Sequence, residues 1–264
     1  VIDLILDLRY NLGGDITAAT YLASMIAPKS YVEQKDIFTI LSYNKSIGQN
    51  NYKLGEYVEK DIIKNGKVIT KAEPNPLDAN LNLNNISIIA TSSSYSASEL
   101  ITFCLRQQMQ KVTHIGSKTG GKYTASITIH AYDDKSGSAF PLYPELFPKK
   151  SIDAKAKSAL ENWALQPIVA IYTDKLGNDF IETNGLIPDS EIYEGFGYFD
   201  YWKSLGDTDD TLLGESIYLI TDNEDYKPIA PKSRNSRTAT YNLINPKRKL
   251  RQESVLINNF NHLN

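Results

Sequence analysis

The sequence predicts an α/β fold, because short apolar strands alternate with amphipathic helices along the chain. Two such units are visible. Residues 2–8 form a buried strand followed by a glycine turn and a helix, and residues 86–91 form a second buried strand followed by small residues and a helix. Hydrophobic residues make up 41% of the 264 residues and charged residues 22%. These proportions are typical of a globular protein with a large core.

The first unit occupies the N-terminal part of the chain. Apolar residues dominate positions 2–8, and Gly13-Gly14 provides the turn that leaves this strand. Asp15 stands where a helix N-cap is expected, and apolar residues recur at helical spacing from Ile16 onward. Pro28 marks the end of this helix, since proline does not continue a helical pattern.

The remaining elements follow the same pattern with one interruption. Residues 46–84 are polar, rich in Asn and Lys, and contain Pro74 and Pro76, so we predict an inserted, partly irregular excursion outside the core. Further strands are predicted at 38–43, 112–115, 125–131 and 168–173, and a helix at 96–109. We therefore expect a core over residues 1–220 and a polar C-terminal extension over 221–264. Because the chain opens directly on a strand, we also expect a domain that is truncated at its N-terminus.

The composition argues against several classes of protein. A formal net charge of −3 gives no reason to expect a nucleic-acid partner, and the basic residues at 247–251 are interpreted as a solvated face. Cys104 is the only cysteine, which excludes an intramolecular disulfide and a metal site of several thiolates. No cluster of His, Asp and Glu has metal-ligand spacing, and no apolar run is long enough to span a membrane. We expect no metal, no cofactor and no membrane span in this chain.

Ser96 is the first candidate for a chemical role. A strand ends at about Thr91, small residues turn the chain, and a helix begins near Ser96. This position suits a nucleophile, because free N–H groups at a helix start can stabilise a developing oxyanion. The alternative is structural: Ser96-Ala-Ser-Glu99 also matches a capping box, in which the serine stabilises the helix by about 1 kcal/mol. The local pattern alone favours the cap.

Lys122 is the candidate base for this serine. It ends the loop Gly116-Ser-Lys-Thr-Gly-Gly-Lys122, whose three glycines allow a close approach to another element. A lysine acts as a base only when it is neutral, which requires burial to lower its pKa from about 10.4. Taken alone, an ordinary exposed lysine is the favoured interpretation. The histidines, at positions 114, 130 and 262, have no carboxylate in an obvious orienting position and offer no better pair.

Three segments together resemble the carboxy-terminal processing (tail-specific) serine peptidase family. Asp7-Leu-Arg-Tyr-Asn-Leu-Gly-Gly14 is similar to the family's Asp-Leu-Arg-x-Asn-x-Gly-Gly, and Ser96-Ala-Ser-Glu99 to its Ser-Ala-Ser-Glu. The loop Gly116–Lys122 is similar to its Gly-Glu-x-Thr-aromatic-Gly-Lys. A weaker similarity links Gly185-Leu-Ile-Pro-Asp189 to the family's Gly-Ile-x-Pro-Asp. The order and spacing agree over residues 1 to about 190, apart from insertions.

The resemblance implies a ClpP/crotonase-like α/β fold, with layered sheets and flanking helices. It also implies a serine endopeptidase that cleaves polypeptides near their C-termini, needs no cofactor, and is exported to the periplasm or cell envelope. It assigns Ser96 as the nucleophile and Lys122 as the general base. Oxyanion stabilisation falls to the backbone N–H of Ala97 and to that of Gly13 or Gly14.

The chain departs from the family pattern at four positions. Gln107 stands where members often carry an acidic residue in the helix after the nucleophile. Ser117 replaces the glutamate of the loop Gly116–Lys122, which we call the base loop. Gly120 replaces the aromatic residue before Gly-Lys. Ser126 replaces a glutamine that orients the lysine in many members, so we expect Ser126 or a backbone carbonyl to hold the Lys122 amine.

A non-catalytic ligand- or peptide-binding module is the main alternative, because the same fold family includes retinoid-binding proteins that resemble these peptidases. A crotonase-type acyl-CoA enzyme is more distant, since nothing in the sequence is specific for CoA. The family's PDZ-type peptide-binding domain has no counterpart in these residues.

Overall fold

The computed structural model describes residues 1–57, 59–64, 67–72, 74–127, 129–130, 155, 158–159, 164–194, 203–228 and 255–256. The predicted end of one strand at residue 131, the basic residues at 247–251 and most of the predicted C-terminal extension lie outside these ranges.

The secondary structure alternates between strands and helices, as predicted. In chain order the strands are β1 (Ile5–Asp7), β2 (Ile37–Ser42), β3 (Gln49–Lys53), β4 (Glu59–Lys64), β5 (Lys67–Ala72), β6 (Asn85–Ala90), β7 (Lys111–Gly116), β8 (Thr124–Ser126), β9 (Ile129–His130), β10 (Ala164–Leu165), β11 (Ile168–Thr173), β12 (Ser190–Glu191) and β13 (Val255–Leu256). The helices are α1 (Ile16–Ile26), α2 (Lys29–Glu33), α3 (Ala97–Cys104) and α4 (Thr211–Thr221), with 3-10 turns at Pro76–Ala79, Leu105–Gln107 and Glu224–Tyr226.

Four strands form a parallel sheet in the order β1-β6-β7-β12. Parallel strands need crossover connections, and the helices that follow β1 and β6 provide them. Asp15 caps α1 as predicted, because its carboxylate accepts from the N–H groups of Thr17 and Ala18. The ends of β1 and β6 therefore lie side by side, each leading through a turn into a helix.

A second sheet has the order β13-β8-β11-β2-β3, antiparallel except for the pairing of β13 with β8. It corrects the prediction for residues 46–84. Strand β3 joins this sheet, and Tyr52 and Leu54 are buried in the core because every second side chain of a half-covered strand faces inward. Strands β4 and β5 pair with each other as a hairpin. Strand β3 was not predicted because it is short and contains few apolar residues.

The core is formed by side chains from both sheets and from helices α1 and α3. Helix α3 contacts α1 and β2, and α4 contacts β6 and β7. The largest fully buried side chains include Tyr172, Phe38, Leu41, Ile88 and Leu100. Cys104 is also fully buried, as expected for a small core residue. No helix in the described ranges is long and apolar enough to cross a membrane. The predicted layered α/β fold is confirmed.

Candidate active site

Ser96 stands at the junction between the turn after β6 and helix α3. Its backbone has φ +56° and ψ −113°, a left-handed region that a residue with a side chain seldom adopts. Such strain persists only where the surroundings enforce it, and it clusters at functional sites. The side chain is buried, and its Oγ makes no hydrogen bond to any group in the described part of the chain. An unsatisfied buried hydroxyl costs about 1–3 kcal/mol.

The two halves of the predicted capping box are both present in outline, but they differ in strength. The Ser96 N–H donates to Glu99 Oε2 at 2.8 Å, which is the half supplied by glutamate. The Ser96 hydroxyl accepts no capping hydrogen bond within the described residues. A serine that served as a cap would use its oxygen for this purpose. Capping geometry is thus present at Ser96, but its Oγ forms no full hydrogen bond there.

The glycine turn after β1 packs directly against this serine. The ideal Cβ of a residue at position 13 would lie 2.7 Å from Ser96 Cβ and 2.9 Å from Ala97 N, and the backbone φ there is +98°. Only glycine fits such a site. The turn is fastened by Asn11, whose carbonyl accepts from the Tyr95 N–H at 3.1 Å and from Ser98 Oγ at 3.0 Å.

The N–H groups near Ser96 differ in their availability. Ala97 is the first residue of α3, so its N–H has no acceptor within the helix. The Gly13 N–H donates to Asn11 Oδ1 at 2.8 Å, so it is engaged in this structure. Of the three predicted oxyanion donors, Ala97 is the one whose position at a helix start favours that role directly.

Glu99 joins the serine to the base loop. Its side chain is fully buried, and Oε2 accepts from the N–H groups of both Ser96 and Lys122 at 2.8 Å each. Oε1 accepts from the Gly121 N–H at 2.7 Å and from Thr119 Oγ1 at 2.5 Å. Because both N–H groups contact one oxygen, the two candidate residues are neighbours in space although they are far apart in sequence. The sequence pattern gave Glu99 only a capping role.

Tyr172, on β11, contacts the backbone carbonyl groups of the same two residues, Ser96 and Lys122. Its hydroxyl lies 2.8 Å from the Lys122 carbonyl oxygen and 3.2 Å from that of Ser96. Burial, and next to it the charge of Glu99, raise the pKa of Tyr172 well above its ordinary value, so the phenol stays protonated. No sequence motif marked Tyr172; it lies in an otherwise ordinary apolar strand.

The Lys122 side chain ends in the interior, since its Nζ is shielded from solvent. The alternative of an ordinary exposed lysine is therefore wrong. Ser126 Oγ is also buried, but it makes no hydrogen bond to any described group. The expectation that Ser126 holds the Lys122 amine is thus not met in this structure, and the Ser96 hydroxyl is not hydrogen-bonded to Lys122 either.

The departure at Gly120 has a structural explanation. The ideal Cβ of a residue at position 120 would lie 1.9 Å from Cε1 of the Tyr95 ring. The Tyr95 ring therefore fills the space into which an aromatic side chain at position 120 would begin to extend. An aromatic ring is present beside the base loop, but it comes from the residue before Ser96.

The Gly185-Leu-Ile-Pro-Asp189 segment holds the other side of the base loop. The Thr119 N–H donates to the Leu186 carbonyl at 3.1 Å, and the Leu186 N–H donates to Thr119 Oγ1 at 2.7 Å. A Cβ at position 185 would lie 2.4 Å from the Thr119 carbonyl oxygen, and one at 121 would lie 2.6 Å from the Asn184 carbonyl oxygen. Both glycines have positive φ, which explains why this contact needs glycine on both sides.

Arg9 anchors the start of the glycine turn to the C-terminal part of the chain. Its Nε contacts both carboxylate oxygens of Asp7, and its two terminal nitrogens donate to Asp210 at 3.0 and 2.9 Å. Glu194 accepts from the same guanidinium. Burial opposes the charge, but the hydrogen bonds to Asp210 and Asp7 and the charge of Glu194 outweigh it and raise the pKa of Arg9. Asp210 also caps α4, by accepting from the Leu213 N–H.

His114 lies in β7 and is fully buried. Its Nε2 is 3.2 Å from the Ala90 carbonyl oxygen, and its Nδ1 has no partner among the described residues. Burial lowers its pKa, so the ring is held neutral. No group of three or more His, Cys, Asp or Glu in the described ranges is arranged to hold a metal ion.

Comparisons with known proteins identify the class to which this fold and site belong. A sequence model of peptidase family S41 matches residues 1–192, most of the chain, and the chain therefore belongs to this family. No curated protein sequence matches the chain.

Several solved structures of low sequence identity resemble the chain, and the first of those described below shares its fold. A putative S41 protease from Bacteroides fragilis has a TM-score of 0.58 and 22% identity, over 84% of this chain and 45% of that one. A photosystem II D1 C-terminal processing protease has a TM-score of 0.46 and 17% identity, over 81% of this chain and 39% of that one. A putative peptidase from Parabacteroides merdae has a TM-score of 0.45 and 16% identity, over 86% and 54%. The chain thus spans about half or less of the length of these proteins.

Proposed function

We propose that this chain carries the catalytic site of a serine endopeptidase in which Ser96 is the nucleophile and Lys122 is the general base. One observation supports this most: Glu99 Oε2 accepts from the N–H of both residues, so the buried Ser96 hydroxyl and the buried Lys122 amine extend from adjacent backbone. Membership of family S41 supports polypeptide substrates. The resemblance to tail-specific peptidases supports cleavage near C-termini and an exported location.

The proposed cycle begins with a proton transfer from Ser96 to Lys122. Ser96 Oγ attacks the scissile carbonyl carbon while the neutral Lys122 amine takes its proton, and burial of Nζ favours that neutral form. The resulting oxyanion accepts a hydrogen bond from the Ala97 N–H, with the Gly14 N–H as the second donor because the Gly13 N–H is engaged by Asn11.

The collapse of this intermediate completes the cycle. The Lys122 ammonium returns the proton to the leaving nitrogen, which breaks the C–N bond and leaves an acyl ester on Ser96. The amine, neutral again, then takes a proton from water; the hydroxide attacks the ester, and Ser96 Oγ recovers a proton from Lys122 as the new carboxylic acid departs. No metal or cofactor takes part in this sequence.

A hydrolysis assay on an unstructured polypeptide such as carboxymethylated casein tests the proposal. Ser96→Ala and Lys122→Ala are each expected to lower kcat by at least about 10²–10⁴-fold. Ser93→Ala and Lys118→Ala are matched controls on the same two loops, since both side chains are exposed. Activity that survives both site substitutions would show that the assignment is wrong. A rate that does not change between pH 6 and 9 would also contradict it, because a lysine base must lose activity as it becomes protonated.

One observation favours the alternative of a binding module. The Ser96 hydroxyl makes no hydrogen bond to Lys122 in this structure. A crystal structure with a bound peptide decides between the two functions. Side chains that rotate into hydrogen-bond contact support catalysis, and side chains that stay apart support peptide binding without cleavage.

The division of the chain into a core over 1–220 and an extension over 221–264 also remains a proposal. The 3-10 turn at Glu224–Tyr226 packs against α4, where a Cβ at Gly214 would lie 2.9 Å from the Tyr226 carbonyl oxygen. Truncation after residue 228 tests whether the remaining extension contributes to stability.

A further inference from the structure

We propose that Tyr172 is a positioning residue that fixes the distance between Ser96 and Lys122 through their carbonyl groups. This inference rests on the proposed function of that pair. It concerns a residue on β11, far in sequence from every motif that identified the site.

The Tyr172 side chain is locked in place. It is fully buried, and its ring packs edge-to-face on Phe180 with the centroids 5.9 Å apart. Its own N–H donates to the Tyr123 carbonyl at 3.1 Å, which ties β11 to the residue after the base. A hydroxyl on such a ring has almost no freedom to move, so the groups bound to it are held relative to the second sheet.

The hydroxyl serves two carbonyl groups with a single proton. It lies 2.8 Å from the Lys122 carbonyl oxygen and 3.2 Å from the Ser96 carbonyl oxygen. A tyrosine that only needed to satisfy its own buried oxygen would require one acceptor. The Ser96 carbonyl already accepts from the Leu100 N–H at 2.8 Å, so helix α3 fixes that peptide group. The phenol therefore contributes most by tying the Lys122 peptide to an already rigid helix start.

Glu99 and Tyr172 act on opposite sides of the same pair. Glu99 binds the N–H groups of Ser96 and Lys122, and Tyr172 contacts their carbonyl oxygens. Two chain segments that are joined by one contact can still rotate about it, whereas contacts on two opposite sides prevent this rotation. The backbone spacing of the pair is thereby set before substrate binds, and only side-chain rotation is left to complete the catalytic geometry.

This arrangement predicts which step depends on Tyr172. The Ser96–Ala97 peptide stays fixed by α3, so the oxyanion donor keeps its direction without the phenol. The base loop loses its carbonyl anchor, so proton transfer to Lys122 becomes less efficient. A misplacement of about 1 Å can cost about 100-fold in rate.

The test compares Tyr172→Phe with Tyr52→Phe. Both substitutions remove a buried phenol oxygen from the second sheet, but Tyr52 OH makes no hydrogen bond to Ser96, Glu99 or Lys122. We expect Tyr172→Phe to lower kcat about 10- to 100-fold, to leave KM within about twofold, and to change the acidic limb of the pH–rate profile. Tyr52→Phe should leave all three unchanged. Thermal melting should show both variants folded at the assay temperature.

The outcomes separate this proposal from the proposed function. If Lys122→Ala abolishes activity but Tyr172→Phe retains full kcat, the dyad stands and the positioning role is wrong. A loss of kcat that only mirrors a loss of folded protein also overturns it. Crystal structures of both variants provide a readout independent of activity. The Cα separation of residues 96 and 122 should grow by more than about 0.5 Å in Tyr172→Phe alone, and an unchanged separation overturns the proposal even if the parent protein cleaves nothing.

Discussion

The two sheets contribute to the candidate site in different ways. The parallel sheet supplies local structures at its strand ends: the glycine turn after β1 and the strained serine turn after β6. Both contact residues close in sequence or on the adjacent strand, and Arg9 adds ion pairs from the glycine turn to Asp210 and Glu194. The antiparallel sheet supplies Tyr172 from β11, whose hydroxyl contacts the carbonyl groups of Ser96 and Lys122, two residues far from it in sequence. Under the proposed function, the parallel side thus carries the nucleophile and the oxyanion donors, and the antiparallel side contributes a contact that holds them in place.

Glu99 connects the serine turn to the base loop, so its substitution should have the largest effect. Glu99→Gln replaces one carboxylate oxygen by an NH₂ group, which cannot accept from the N–H groups or the hydroxyl that bind there. At least one buried donor then loses its partner, at a cost of about 1–3 kcal/mol. We expect kcat to fall about 100-fold or more and the free energy of unfolding to decrease.

The control for Glu99→Gln is Glu33→Gln, which makes the same chemical change on an exposed side chain of α2. Steady-state kinetics and urea unfolding measure the two effects separately. If Glu99→Gln keeps both its activity and its stability, the carboxylate is not the link between the serine turn and the base loop.

Asp210 tests the parallel side alone, with a smaller expected effect. It lies beyond the region that matches family S41, yet it binds Arg9 through both oxygens next to the glycine turn. Asp210→Asn weakens one of three carboxylate contacts to this buried guanidinium, so we expect a stability loss of about 1–3 kcal/mol and a modest loss of kcat.

The matched control is Asp209→Asn, because the adjacent side chain is exposed. Equal unfolding curves for the two variants would show that the C-terminal segment does not support the turn. A loss specific to Asp210→Asn would extend the structural unit of the site beyond residue 192.

The same contrast explains what could be predicted from the sequence. The strand ends, Ser96 and the glycine turn were predictable because strand, turn and helix signals are local, and because motifs in the expected order reinforce one another. Strand β3 was missed because its alternation is carried by polar residues around Tyr52. Tyr172 was missed because its role exists only after β11 packs beneath the base loop. No local pattern distinguishes it from an ordinary core tyrosine.

The aromatic ring beside Gly120 is another feature that could not be predicted from the sequence. The sequence showed the loss of an aromatic residue, but not that the Tyr95 ring lies in its place. Similarly, the capping-box pattern was correct in outline, but only its Glu99 half forms a full hydrogen bond. Which of two roles a residue takes depends on partners that are distant in sequence, and those partners become known only with the structure.

The smallest expected effect concerns His114 and the response of the parallel sheet to pH. Burial lowers its pKa in the folded state below the ordinary value of 6.5; the charge of Arg106 acts in the same direction, and the Ala90 carbonyl and Asp189 oppose it. Below about pH 6.5 the unfolded chain binds a proton that the folded protein does not, so the free energy of unfolding falls as the pH decreases. His114→Gln removes this contribution while keeping a donor for the Ala90 carbonyl. Urea unfolding between pH 7.5 and 5 should show a steeper loss of stability for the parent than for the variant. Parallel curves would mean that His114 accepts a proton in the folded state as readily as in the unfolded chain.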